Sequence, residues 1–234
     1  MFLAEASRLT HGKGTLIGVS TSTGVLARGP WRTSQVRVRW LPEHWEPDAR
    51  QSAAADEAIA ALEDRGSPAH DGLAARLAAW RERDGGLELD LQPVRWSLRL
   101  VPAVGANSLS VLCVVRSADG RWLAGRRAAW VATWAGRWAL GAGGAVEVGE
   151  DPVAALGREL EEEWGVAPEA IAVEALVAVP SGLVMLIGQA RLGAGAVVRR
   201  DAEHDAHAWW PADPAAWPSE ADPALRRMAG LLAG

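Results

Sequence analysis

Apolar and polar positions change rhythm several times along the chain, and each rhythm predicts an element. Residues 14–28, GTLIGVSTSTGVLAR, read as two short strands around a Ser-Thr-Gly turn. SQVRVRWL at 34–41 alternates with a period of two, as a half-buried strand does. After the polar connector PEHWEPDARQS, helical spacing appears twice, over about 49–64 and 69–83. RGSP separates the two patterns, and Asp-Gly-Gly at 84–86 stops the second. From residue 87 strands follow: LELDLQPV, RWSLRLV and SLSVLCVV, then the turn SADG and the strand RWLAGRR. Asp-Gly in that turn is a hairpin signal, because both residues tolerate a positive φ. A loop rich in Trp and Gly, residues 128–144, leads to a helix that opens at Pro152 and stops at Gly165. Strands over about 171–178, 183–191 and 204–210 come next, and DPALRRMAGLLA closes the chain as a short amphipathic helix.

Strands mix with a few helices without regular βαβ alternation, so the expected class is α+β. The texture changes near residue 86, which divides the expectation into an α/β N-terminal module of unknown role over 1–86 and a second domain over 87–234.

The helix from Pro152 carries the chemistry. Val153, Leu156, Leu160 and Trp164 recur at helical spacing and form one apolar stripe for the core. Glu159, Glu162 and Glu163 lie within an arc of about 100° beside it. Like charges at such spacings repel by roughly 0.2–0.5 kcal/mol per pair, so some other interaction has to offset the crowding. Hard divalent cations would do so. Oxygen ligands at this density suit Mg²⁺ or Mn²⁺, which usually share their coordination with substrate phosphates. Gly141–Gly144 would leave backbone amides and carbonyls open to a ligand.

Gly144, Glu150, Arg158, Glu159, Leu160, Glu162, Glu163, Gly165 and Val166 fill every defined position of one spaced pattern. The pattern resembles the Nudix box, and the resemblance extends over about 105–215. It implies a Nudix fold, a mixed β-sheet sandwiched between helices. It also implies metal-dependent hydrolysis of the diphosphate bond in a nucleoside diphosphate linked to another moiety, with Mg²⁺ or Mn²⁺ as cofactor. By motif position Glu159, Glu162, Glu163 and the carbonyl of Gly143 would be metal ligands. Arg158 would orient a box carboxylate, and Glu150 would act as a supporting hydrogen-bonding acid. The general base would be Glu159 or an acid outside the box, for which Glu203 in RRDAEHDAHAWW is the choice. Other readings stay open: a non-catalytic nucleotide-sensing or protein-binding Nudix domain, and an isomerase resembling the isopentenyl-diphosphate enzymes, which use a Cys in a different local pattern. The chain has no Tyr to match the tyrosine of dinucleoside-polyphosphate members. Pro180 lies near the position of the proline of ADP-ribose members without clearly matching it, and the coenzyme A pattern is not met.

Composition narrows the classes. The 234 residues are 49% hydrophobic and 23% charged, as in an ordinary globular protein. A net charge of −5 argues against stable nucleic-acid binding. The single cysteine, Cys113, excludes an intrachain disulfide and a cysteine-based zinc site, and it reads as a buried strand residue. The most apolar long window, 171–190, is broken by Glu174, Pro180, Ser181 and Gly182, so no membrane span is expected and the cytoplasm is the expected location. The expected partner is a small nucleotide-diphosphate substrate, and assembly as a homodimer stays open.

With 13 Trp and no Tyr, Trp supplies nearly all aromatic surface. Trp130 and Trp134 could stack on a base or sugar, a contact worth roughly 1–3 kcal/mol, or simply pack. Arg126 and Arg127 could grip phosphates bidentately or form a surface pair. His204 and His207, three apart on a strand, should face opposite sides and are read as ordinary polar positions.

Overall fold

The computed structural model describes residues 14–15, 24–67, 71–101 and 106–232. In chain order the elements are β1 (Gly14–Thr15), β2 (Gly24–Arg32), β3 (Val36–Trp40), α1 (Ala49–Asp64), β4 (Leu73–Arg83), β5 (Gly86–Arg95), β6 (Leu109–Arg116), β7 (Trp122–Arg127), β8 (Trp138–Leu140), α2 (Pro152–Trp164), β9 (Ile171–Ala178), β10 (Val184–Arg191), β11 (His204–Trp210) and α3 (Pro223–Leu232). Short 3-10 turns intervene at Thr33–Gln35, Trp96–Leu100 and Pro214–Ala216. Much of the 14–28 expectation lies outside the described residues; its end is β2.

The larger sheet runs β11-β7-β6-β10-β9-β2, with β8 added on β7. β6 and β10 are parallel and the other neighbours antiparallel, which makes the sheet mixed. Alternate residues of the central strand β6 face opposite helices. Leu109, Val111, Cys113 and Val115 join Leu156, Leu160 and Trp164 of α2 in one core, while Val114 joins Leu225 and Ala229 of α3 in another. With both faces covered, β6 reads as a continuous apolar run instead of an alternating one. Cys113 is fully buried there, and burial pushes its thiol up to about 12.

The smaller sheet has the order β1-β4-β5-β3. Here the expected helix over 69–83 is corrected: Leu73–Arg83 form β4, and residues 69–70 lie outside the described residues. Ala, Leu and Arg favour helix by only tenths of a kcal/mol each, and tertiary pairing overrides that. Asp84 and Gly85 take φ values of 52° and 71°, the positive pair a two-residue hairpin turn needs. The Asp-Gly read as a helix stop therefore folds β4 back on β5, burying Leu77, Leu87, Leu89 and Leu91 completely. RWSLRLV, expected as a strand, is mostly the 3-10 turn Trp96–Leu100. Its Leu98 packs with Ala55 of α1, Val94 and Ala106, while Arg95 is held by Asp56 and Asp71.

The expected boundary at residue 86 falls at that hairpin turn, within the smaller sheet. β2 pairs with β9, and β4 runs onward to the region before α2: Ala75 N–H donates to Val146 O at 2.8 Å and Leu77 N–H to Asn107 O at 2.9 Å. One hydrophobic core joins side chains of both sheets. Among the described residues no helix is long and apolar enough to cross a membrane.

Candidate active site between the glycine loop and the acidic helix

α2 is fixed at both ends by its own sequence. Asp151 accepts a hydrogen bond from Val153 N–H at 2.8 Å and Pro152 opens the first turn. Gly165, at φ 62°, closes the helix with its N–H on Glu161 O at 2.9 Å. Leu156, Leu160 and Trp164 are fully buried, as the stripe requires. The Trp164 indole N–H donates to Gly141 O at 2.9 Å and so ties the helix to the glycine loop. The loop is held along β6 by Cys113 N–H to Ala142 O at 2.8 Å and Val111 N–H to Gly144 O at 2.9 Å.

The carboxylates differ in environment. Glu159 and Glu163 are only 7% and 5% exposed, whereas the Glu162 side chain is 59% exposed. Arg158 fans across three acids: Nε to Glu150 Oε1 at 2.8 Å, Nη1 to Glu159 Oε1 at 2.8 Å and Nη1 to Glu162 Oε2 at 3.0 Å. Its Nη2 also reaches Ala145 O at 3.2 Å. Burial raises the Glu159 pKa despite Arg158 beside it, and the Arg158 pKa is raised chiefly by its hydrogen bond to Glu150. A Cβ on Gly144 would sit against the Glu159 carboxylate, 2.7 Å from its Cδ, so only glycine leaves that space free.

Glu163 accepts from Gly143 N–H at 3.1 Å and lies 3.9 Å from Arg127 Nη1, which itself pairs with Glu203 at 2.8 Å. Burial outweighs the opposing pull of Arg127 and the Gly143 N–H, pushing Glu163 up to about 8. His204, 1% exposed, sets Nε2 at 3.6 Å from Glu163 Oε2 and Nδ1 at 3.2 Å from Asp201. Burial lowers its pKa. The ring lies 4.6 Å from that of Trp164, in space left by Gly125, where a Cβ would meet Trp164 Cζ2 at 2.7 Å.

The structure thus gathers Gly143, Glu150, Arg158, Glu159, Glu162, Glu163, Arg127 and Glu203. Arg126 points elsewhere: it pairs with Asp205 at 2.6 Å and lines a cleft of about 340 Å³ with Arg137, Trp138 and Asp222. Trp130 and Trp134 are 39% and 41% exposed, and the guanidinium of Arg137 lies 4.6 Å from the Trp134 ring. The alternation argument for the histidines fails. A bulge at Asp205 shifts the register between His204 and Ala206, so both His204 and His207 reach the Trp164 ring, at 4.6 and 5.9 Å.

A NUDIX domain family model matches residues 106–229, just over half of the chain. The chain belongs to the NUDIX domain family. Solved structures similar to it include a MutT protein from Methanosarcina mazei Go1, 23% identical over 53% of this chain and 90% of that one, with a TM-score of 0.41. The NUDIX domain of Shewanella oneidensis NrtR, complexed with ADP ribose, is 20% identical over 54% and 86%, with a TM-score of 0.44. A C. elegans Ap4A hydrolase is 20% identical over 53% and 92%, with a TM-score of 0.42. Among curated proteins there is no significant match.

In this Nudix chain the crowding of the acids is relieved by arginine. Five carboxylates (Glu150, Glu159, Glu162, Glu163 and Glu203) face the guanidiniums of Arg158 and Arg127, so negative charge is left over. Among the described residues no three His, Cys, Asp or Glu side chains form a ready-made metal cluster, and Arg158 Nη1 bonds both Glu159 and Glu162. Sequence reasoning read His204 as an ordinary polar position and missed Gly125. The bulge that brings the histidine inward leaves no mark in the local pattern.

Proposed function

We propose that this Nudix chain hydrolyses the diphosphate bond of a nucleoside diphosphate linked to another moiety, with Mg²⁺ or Mn²⁺. The observation that carries the reading is the buried Glu159–Glu163 pair facing the glycine loop with more negative than positive charge around it. The donor set fits a hard cation. It is all oxygen, and Glu163, raised to about 8, is a buried carboxylate that its own neighbours only partly compensate. Glu159, Glu162 and Glu163 would hold the ion, with the Gly143 carbonyl. When bound, such an ion polarises phosphoryl oxygens and lowers the pKa of a coordinated water.

The protein's own groups do the positioning. Arg158 fixes the Glu159 carboxylate from one side, and Gly143 N–H with Arg127 fixes Glu163 from the other. Glu203, clasped by Arg127 at 2.8 Å and 40% exposed in its side chain, is the carboxylate assigned to take a proton from water; its exposure beside the buried acids supports that role. Glu159 is the second group that can do so, and a pH–rate comparison of Glu203→Gln with Glu159→Gln separates them.

A non-catalytic, ligand-sensing Nudix domain is the second reading. Its support is that Arg158 already occupies Glu150, Glu159 and Glu162. Hydrolysis measured on ADP-ribose, NADH, coenzyme A, sugar nucleotides and oxidised nucleoside triphosphates, with and without Mg²⁺ or Mn²⁺, decides between the two. Cation-dependent turnover supports the enzyme; tight binding of an intact ligand without turnover supports the sensor.

A further inference from the structure

Arg99 is a guanidinium next to the acidic site that lacks an acidic partner among the described residues. Arg158, Arg127 and Arg126 each pair with carboxylates. Arg99 instead donates from Nη2 to the neutral Ser110 Oγ at 2.7 Å, and its Cζ lies 5.5 Å from the Trp96 ring. Among the described residues no Asp or Glu stands within ion-pair distance of it. It is half-buried, and burial works against its charge, with Glu159 the carboxylate that offsets this from further away. Taking a guanidinium out of water without a paired anion is costly, so a fold that builds such a position calls for a reason.

Its placement supplies one. Arg99 sits on the 3-10 turn Trp96–Leu100, whose buried Leu98 is braced against Ala55 of α1. Ser110, which holds the guanidinium, forms an antiparallel bridge with Ala145, the residue after Gly144. Gly144 in turn leaves room for the Glu159 carboxylate. Ser110 of β6 therefore ties the guanidinium of Arg99 to the edge of the glycine loop. We propose that Arg99 binds a phosphate oxygen of the diphosphate substrate, so that the segment before the Nudix domain supplies part of the substrate site. This rests on the reading that the neighbouring carboxylates serve a diphosphate ligand.

The test uses the full chain, Mg²⁺ and methylenediphosphonate, a diphosphate analogue that cannot be hydrolysed. Calorimetric titration should show binding by the wild type. Arg99→Gln should weaken it by roughly tenfold or more, the usual weight of one charge-assisted hydrogen bond. Arg99→Lys, which restores a point charge without the fork, should recover part of the loss. Ser110→Ala, which frees the guanidinium without removing charge, should weaken binding by a smaller factor. In turnover the Arg99→Gln loss should appear in KM more than in kcat. Unchanged affinity in Arg99→Gln, or no binding by the wild type, overturns the proposal. Equal losses in Arg99→Gln and Arg99→Lys also overturn it, since charge would then be irrelevant. Arg99-dependent binding without turnover on any substrate would sink the hydrolase reading and leave this one standing.

Discussion

Gly144→Ala separates the role of the glycine loop in function from its role in folding. The new Cβ would press on the Glu159 carboxylate, 2.7 Å from its Cδ, and on nothing else within that range. A carboxylate at the end of a flexible side chain can turn away, so the backbone need not move. What is lost is the Arg158–Glu159 contact at 2.8 Å. Hydrogen bonds to charged groups are worth about 1.5–3 kcal/mol, and Arg158 keeps Glu150 and Glu162, so a net cost of about 1–2 kcal/mol follows. For a chain of this size that is a fall in Tm of about 2–8 °C. Function should suffer more. Disturbing groups that orient metal ligands typically costs about 10–100-fold, and Glu159 is itself a proposed ligand, so hydrolysis and Mn²⁺ affinity should fall by about 100-fold.

Gly143→Ala is the control. There the Cβ would collide with the backbone carbonyl of Val111 and lie 3.2 Å from Leu112 Cα, neither of which can swing aside. A loss of about 3 kcal/mol or more in stability is expected. Thermal melting with Mn²⁺ titration by electron paramagnetic resonance reads both quantities. Gly144→Ala with wild-type metal affinity and turnover would refute the reasoning. So would equal melting losses in the two variants.

Glu162→Gln should cut turnover by orders of magnitude while leaving the melting curve in place, because the side chain is 59% exposed; near-normal kcat would remove it from the site. Trp164→Ala should destabilise the fold by about 3–5 kcal/mol for the lost ring, with a further ~1 kcal/mol for the orphaned Gly141 carbonyl, and an unchanged melting temperature would contradict that packing. Asp90 gives a pH dependence. Burial pushes its pKa up, but the Arg39 hydrogen bond and nearby Arg81 win, and the folded value lies below the ordinary 3.8. Its contribution is therefore present above about pH 4 and lost as pH falls through the folded value. Wild-type Tm should drop more steeply than that of Asp90→Asn on acidification below about pH 4. Parallel curves would show that the pair carries no linkage.

Legibility tracked how local the determinants were. The helix over 152–164 could be read because its cap, stripe and glycine stop all lie within fifteen or so positions and agree with one another. β9 and β11 were legible for a similar reason, with turn residues on both sides. β4 was not, since LAARLAAWRER has helical composition and its partner β5 lies beyond the turn; only the Asp84-Gly85 conformation reveals the pairing. Likewise the acidic residues of α2 were visible as a cluster, but their relief by Arg127, at the end of β7 and paired with Glu203 just before β11, depends on β7 pairing with β11. His204 escaped because one extra residue at Asp205 breaks a period of two. Arg99 escaped because its meaning lies in a missing partner, and only the packed structure shows which charges find one.

The central claim is that Glu159, Glu162 and Glu163 bind a divalent cation together with a diphosphate. Calorimetric titration of Mn²⁺ into the full chain with methylenediphosphonate present measures this most directly. Saturable uptake that falls sharply in Glu159→Gln and Glu163→Gln is the expected result. The absence of uptake by the wild type, or uptake indifferent to both substitutions, would contradict it.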